Sequence, residues 1–297
     1  MNFPDGLLEE VVSGQVSRLC WDGKGARGAG TTEKLAVVTF ACSLYSCGMR
    51  NLIQTLPHPL ANALLMLRRL SGGMFEDGLF TITNSDFRKT SRFKRAYEAA
   101  KATGSFSNWE LRWRIHVLCW AAEMASRIEG DFVECGTDHG GTAMAVINYT
   151  GFENLGKTFW LLDTFSGIDR SLLTDKEKGI EGGFLDYSEC YKRVKANFAG
   201  MDFTKIVRGS VPATLPQVTA ERVAFLHLDM NATVPEIAAL EHFWPRLSLF
   251  GLVVMDDYGW PRHREQKIGF DDFARRVGIE ILQLPTGQGL MVKLPGS

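Results

Sequence analysis

The sequence predicts an α/β protein with a mainly parallel seven-stranded sheet, an antiparallel C-terminal hairpin and an N-terminal helical appendage. Three observations carry this. From residue 132 onward, short apolar segments at 132–134, 158–163, 205–208, 223–229, 249–256, 280–284 and 290–294 alternate with stretches of helical pattern. Such alternation specifies crossover helices on both faces of a parallel sheet. The last two segments are separated only by Pro285-Thr286-Gly287-Gln288-Gly289, too short for a helical crossover, so they form a hairpin at the sheet edge. Finally, the segments end in polar residues, among them Glu134, Asp163, Arg208, Asp229 and Asp256, where an open α/β sheet holds its ligands.

In chain order, residues 1–30 are glycine-rich and polar, above all from Gly23 to Gly30, and read as an irregular lead. Between Thr31 and Leu70, two helical stretches flank Leu56-Pro57-His58-Pro59; their apolar faces suggest packing on the main domain or a homo-oligomer contact. The run from Leu35 to Met49 is the most membrane-like, but it is short and contains Thr39, Ser43, Ser46 and Gly48, so no membrane span is expected. After the Gly72-Gly73 break, helices are expected over 86–102 and, capped by Ser107-Asn108, over 109–128. The expected division is an appendage over 1–85 and a ligand-binding domain over 86–297.

A net charge of −1 and a pI near 6.6 provide no general attraction to nucleic acid or anionic membrane, which leaves a small molecule as the expected partner. The basic run Arg88, Lys89, Arg92, Lys94 and Arg95 reads as a solvated helix face. The six cysteines lack Cys-x-x-Cys spacing and no His–Cys metal pattern is apparent, so they read as reduced and structural. No basic region followed by an apolar one opens the chain, and a cytoplasmic protein is expected.

Chemistry concentrates at the strand ends. The first strand runs into Glu134-Cys135-Gly136-Thr137-Asp138-His139-Gly140-Gly141, a glycine turn opening a helix. Its spacing misses Gly-x-Gly-x-x-Gly, so it suits a nucleotide-like ligand without a pyrophosphate, such as S-adenosylmethionine, rather than a dinucleotide. One strand later, Asp163 either accepts hydrogen bonds from two ribose hydroxyls or caps the following loop. Asp229, Asp256 and Asp257 meet at two neighbouring strand ends. Such a cluster repels itself unless protonated or bridged by a hard cation such as Mg²⁺ or Ca²⁺; the alternative is that the three cap loops and a helix. A bound Mg²⁺ would acidify and orient a substrate hydroxyl. His227, two residues before Asp229 on the same strand face, and His263, just beyond the aspartate pair, are the candidate general bases, with packing and surface roles as alternatives. No Gly-x-Ser-x-Gly elbow is present at Ser166 or Ser210.

From about Phe93 to Lys293 the chain resembles the macrocin O-methyltransferase family. The resemblance rests on Val133-Glu134-Cys135-Gly136 with Gly140-Gly141, Leu162-Asp163-Thr164-Phe165-Ser166-Gly167, and Arg208-Gly209-Ser210 with Thr214-Leu215-Pro216. His227-Leu228-Asp229, Met255-Asp256-Asp257-Tyr258-Gly259 and Leu284-Pro285-Thr286-Gly287-Gln288-Gly289 complete it. It implies a class I, Rossmann-like methyltransferase fold, with Glu134 and Gly136 near the methionine part of S-adenosylmethionine and Asp163 on its ribose; Thr137, Gly140, Gly141, Thr164, Gly209, Ser210 and Asp229 are the further cofactor contacts expected over 86–297. It further implies Mg²⁺ on Asp229, Asp256 and Asp257; the expected activity is methyl transfer to a sugar or vicinal-diol hydroxyl of a natural product, with His227, His263 and Asp229 as the expected catalytic residues. The family usually has Asp-x-Asp-Leu-Tyr where this chain has Asp229-Met230-Asn231-Ala232-Thr233, which loses a carboxylate and a tyrosine. That departure raises a non-catalytic binding protein as the alternative; a nicotinamide oxidoreductase is the weaker one.

Overall fold

The computed structural model describes residues 74–76, 78–81, 83–106, 109–179 and 189–297, all in the unit Arg68–Ser297. Expectations for residues 1–73, including the helical stretches and any homo-oligomer contact, lie outside the described residues, as does the Ser107-Asn108 cap. The description begins with an antiparallel hairpin of β1 (Met74–Glu76) and β2 (Leu79–Thr81), in which buried Glu76 pairs with Arg88 and Arg112. The helix expected over 86–102 is split. A 3-10 turn over Asp86–Lys89 precedes α1 (Ser91–Ala102), because the Thr90 side chain accepts the Phe93 N–H and fixes the helix start there. α2 (Arg112–Ala125) follows.

The sheet contains β3 (Asp131–Cys135), β4 (Phe159–Asp163), β5 (Thr204–Arg208), β6 (Val223–Leu228), β7 (Leu247–Met255), β8 (Leu282–Gln283) and β9 (Gly289–Val292) in the order β5-β4-β3-β6-β7-β9-β8. All seven expected strands are present, with bounds shifted by at most two residues. β9 is antiparallel to both its neighbours, which closes the sheet with the expected hairpin. From β3 the chain builds outward to β4 and β5, then returns to set β6 on the other side of β3. That reversal opens a crevice at the C-terminal ends of β4, β3 and β6.

Alternation along the strands assigns each residue to a face. Val133, Cys135, Leu162, Leu226, Leu228, Val253 and Met255 form one core with Ala239, Leu240 and Phe243 of α6 (Thr233–Phe243), and with Phe270, Phe273 and Ala274 of the last helix, Arg264–Val277. Phe132, Leu161, Phe225, Leu252 and Val254, of opposite parity, pack on Leu118, Ala121 and Ala122 of α2 and on Ala143, Val146 and Ile147 of α3 (Gly141–Thr150). The shorter helices α4 (Asp175–Lys178) and α5 (Tyr191–Asn197) lie between β4 and β5 in the chain, and α7 is the helix Arg264–Val277. Glu134 and His227 share the parity of Phe132 and Phe225, so they belong to the α2–α3 side of the sheet.

Phe132 is fully buried, with ring centroids 5.1 Å from Phe152, 5.8 Å from Phe159 and 5.0 Å from Phe225. Phe132→Ala should cost about 3–5 kcal/mol, read as a lower urea midpoint at unchanged slope. A loss below about 1 kcal/mol would show that this face is not the packed core described.

Candidate functional site

The glycine turn is built by packing. Gly136 leaves β3 at φ 94°, and a Cβ there would lie 1.9 Å from the Asp229 carbonyl oxygen, so only glycine lets the turn pass the end of β6. The Gly136 N–H donates to the Leu162 carbonyl (2.8 Å) and the Asp229 N–H to the Cys135 carbonyl (2.9 Å), lacing three strand ends together.

Three of the expected cofactor contacts have partners within the protein. Thr137 is buried, with its hydroxyl directed at the Leu162 carbonyl. The Gly140 N–H donates to the Thr137 carbonyl and the Gly141 N–H to Ser105 Oγ, each at 2.8 Å. A Cβ would come 2.3 Å from the Phe198 ring at Gly140 and 2.8 Å from Phe106 and Ser105 at Gly141. Those partners sit on distant segments, which is why the turn alone suggested ligand contacts.

Asp163 ends β4 beside the turn. Its Oδ2 accepts the Asp138 N–H (2.8 Å), and its Oδ1 accepts the Phe165 N–H (2.7 Å) and the Thr164 hydroxyl (3.2 Å). The loop-capping role is therefore realised, while Oδ2 keeps acceptor capacity for a ligand hydroxyl. Burial raises its pKa, opposed by these hydrogen bonds. Thr164 braces Asp163, the Gly209 N–H donates to the Asp163 carbonyl (2.8 Å), and the Ser210 hydroxyl donates to Asp169 (2.8 Å).

A chain of charged groups crosses the next strand ends. Glu134 and His227 are register partners on β3 and β6, and Glu134 Oε1 lies 2.9 Å from His227 Nδ1. His227 Nε2 is 3.8 Å from Asp256 Oδ1, an ion-pair distance. Asp256 Oδ1 also accepts from Gln288 Nε2 at 3.0 Å, and Asp256 Oδ2 pairs with Arg114 of α2. The same guanidinium lies 3.4 Å from Asp257 Oδ1, while His263 Nε2 is 3.7 Å from Asp257 Oδ2. Arg114 and Gln288 were not singled out as site residues. Gln288 lies in the hairpin motif, whereas nothing distinguishes Arg114 from any other helix arginine.

Burial depresses the His227 pKa, but Asp256 and Glu134 outweigh it and hold the imidazole up at about 10. His227 is fully buried between Glu134 and Asp256, and its raised pKa argues against it as the general base. Against the upward push of burial, Arg114 and His227 keep Asp256 below the usual carboxylate range. Burial first, then the neighbouring aspartates, raise Asp229. Burial also raises Asp257, with Asp256 adding to it and Arg114 opposing.

A hard divalent cation fits these residues. The carboxylates of Glu134, Asp229, Asp256 and Asp257 converge here; among the described residues Arg114 pairs with Asp256 and Asp257, and His227 lies between Glu134 and Asp256. Donor atoms of His227, Asp229 and Asp256 lie within 4.8 Å of one another, whereas Asp257 is not in that group and meets Arg114 and His263. Among the described residues, Glu134 Oε2 and His227 Nε2 are buried without hydrogen-bond partners, the mark of a site that expects another group.

The sequence profile of the macrocin O-methyltransferase family (TylF) matches residues 112–281, more than half of the chain, and takes in Glu134, His227, Asp229, Asp256, Asp257, His263 and Arg114 but not Gln288, Ser105 or Phe106. The chain belongs to the macrocin O-methyltransferase family. Among its relatives is the 8-demethyl-8-(2,3-dimethoxy-alpha-L-rhamnosyl)-tetracenomycin-C 4'-O-methyltransferase of Streptomyces olivaceus, 29% identical over 54% of this chain and 64% of that protein. Mycinamicin III 3''-O-methyltransferase of Micromonospora griseorubida is 27% identical over 56% of this chain and 69% of that one. The alignment with the first thus spans less than two thirds of its length. Among solved structures, the O-methyltransferase NovP superposes with a TM-score of 0.53 at 20% identity, over 61% of this chain and 79% of that chain, a likeness of fold.

Proposed function

We propose that this member of the family is an S-adenosylmethionine-dependent, metal-assisted O-methyltransferase acting on a sugar or vicinal-diol hydroxyl of a natural product. The observation that carries the reading is the convergence of His227, Asp229 and Asp256, with donor atoms within 4.8 Å of one another, at the strand ends where this fold holds ligands. Both named relatives are O-methyltransferases, and the first acts on a rhamnosyl-bearing tetracenomycin, which supports the acceptor class.

S-adenosylmethionine would supply a methyl group on a positive sulfur, and a hard cation such as Mg²⁺, held by Asp229 and Asp256 with Asp257 beside them, would supply Lewis acidity to the acceptor hydroxyl. The chain's own residues do the rest. Asp163 Oδ2 offers an acceptor to a ribose hydroxyl, and Gly136 lets the turn pass close to the end of β6. Glu134, 2.9 Å from His227 Nδ1, orients the imidazole so that Nε2 faces Asp256. Arg114 and Gln288 fix the orientation of Asp256. His263, partly exposed beside Asp257, is placed to take the acceptor's proton. Methyl transfer is then an in-line displacement at carbon, with proximity supplying much of the rate.

His263→Gln should lower kcat by roughly 10²- to 10⁴-fold, the usual contribution of a general base, with S-adenosylmethionine affinity unchanged. Full kcat in this variant would remove His263 from the mechanism. For the reading as a whole, calorimetry with S-adenosylmethionine should give heat, and Mg²⁺ added afterwards should give more in the parent than in Asp229→Asn. Absence of any heat with S-adenosylmethionine would contradict it.

A further inference from the structure

A second cluster lies on the other side of Asp163, and it unites residues that show no metal pattern in sequence. Cys190, Asp138 and His139 present a thiol, a carboxylate and an imidazole whose donor atoms all lie within 4.8 Å of one another. Cys190 precedes α5, and its thiol donates to the Asp138 carbonyl at 3.5 Å. His139 Nδ1 is 2.9 Å from Asp138 Oδ1. The backbone beneath them is fixed on both sides: Asp138 N–H to Asp163 at 2.8 Å, Asn197 Nδ2 to the His139 carbonyl at 2.9 Å, and Cys190 N–H to the Phe165 carbonyl at 3.0 Å. The donors are therefore assembled by the fold rather than by chance side-chain reach.

We infer that Asp138, His139 and Cys190 form a second metal site, selective for a borderline-soft divalent ion such as Zn²⁺. The donor set decides the class. Sulfur, imidazole nitrogen and one carboxylate oxygen suit Zn²⁺, whereas the oxygen-rich cluster at Asp229 and Asp256 suits Mg²⁺. Three protein ligands leave a coordination position for water or a ligand atom. Tetrahedral bonds of about 2.0–2.3 Å require the donors to close in by rotation about their side-chain bonds, and the side chains of His139 and Asp138, 21% and 30% exposed, have room to do so. Burial, with the neighbouring carboxylates, holds the Cys190 thiol up at about 12, so metal binding must expel its proton to solvent and will strengthen with pH. The site occupies the glycine turn itself, and a metal there would tie the turn to the start of α5.

The test is Co²⁺ titration of the full, reduced, metal-stripped chain, following thiolate-to-cobalt charge-transfer absorption. The parent should develop the band at one equivalent, and Zn²⁺ should abolish it while excess Mg²⁺ leaves it. Cys190→Ser should lack the band, and His139→Ala should bind beyond the roughly 10- to 100-fold weaker that loss of an outer partner brings. Asp256→Asn should keep it, which separates this site from the acidic cluster. Persistence of the band in Cys190→Ser, or no band with the parent, overturns the inference. His139→Ala, at a partly exposed position, remains readable if Cys190→Ser fails to fold.

Discussion

Asp256→Asn should abolish metal-dependent methyl transfer, by at least about a thousandfold, while leaving most S-adenosylmethionine binding intact. Asp256 is the residue on which the charged groups converge: Arg114, Gln288 and His227 all address it, and it is 3% exposed. Removing its charge takes one ligand from the cation and frees Arg114 and His227 from their shared partner. Loss of several kcal/mol of charge stabilisation corresponds to a thousandfold or more in rate. Part of the effect should also appear as stability, since breaking a buried ion pair costs about 3–5 kcal/mol. The donor side, on Asp163 and the Gly136 turn, shares no hydrogen bond with Asp256, so calorimetry with S-adenosylmethionine should change little. Measured Mg²⁺ affinity and kcat equal to the parent's would show that the cluster is only structural.

Gly136→Ala should be the most damaging small substitution in the turn. Positive φ costs a non-glycine residue about 1–3 kcal/mol, and forcing a methyl group to within 1.9 Å of the Asp229 carbonyl adds an overpacking term of about 1–3 kcal/mol. At roughly 2–4 °C per kcal/mol for a chain of this size, Tm should fall by about 10 °C. Gly156 provides the control: its φ is 64°, but nothing lies within 4 Å of the added Cβ, so Gly156→Ala pays the backbone term alone. Since the clash displaces Asp229, Gly136→Ala should weaken Mg²⁺ binding as well, and Gly156→Ala should not. Equal Tm values for the two variants would contradict the close approach of β3 to β6.

The strands were legible because alternation is a local signal: Phe132 and Val133, or Phe225 and Leu226, declare opposite faces within two residues. The acidic strand ends followed from the same reading, since each lies next to the strand that carries it. What escaped depends on partners far away in sequence. Gly140 and Gly141 looked like ligand contacts because Phe198, Phe106 and Ser105, which require them, lie on other elements. His227 looked like a base because its cross-strand partner Glu134 becomes apparent only with the register. Arg114 and the pairing of His139 with Cys190 arise from packing alone.

The most direct test is transfer of a labelled methyl group from S-adenosylmethionine to a panel of deoxysugar glycosides, run with chelator and again after Mg²⁺ is restored. Transfer to a sugar hydroxyl that stops in chelator and returns with Mg²⁺ is the expected result; transfer at full rate in chelator would contradict the metal-assisted account.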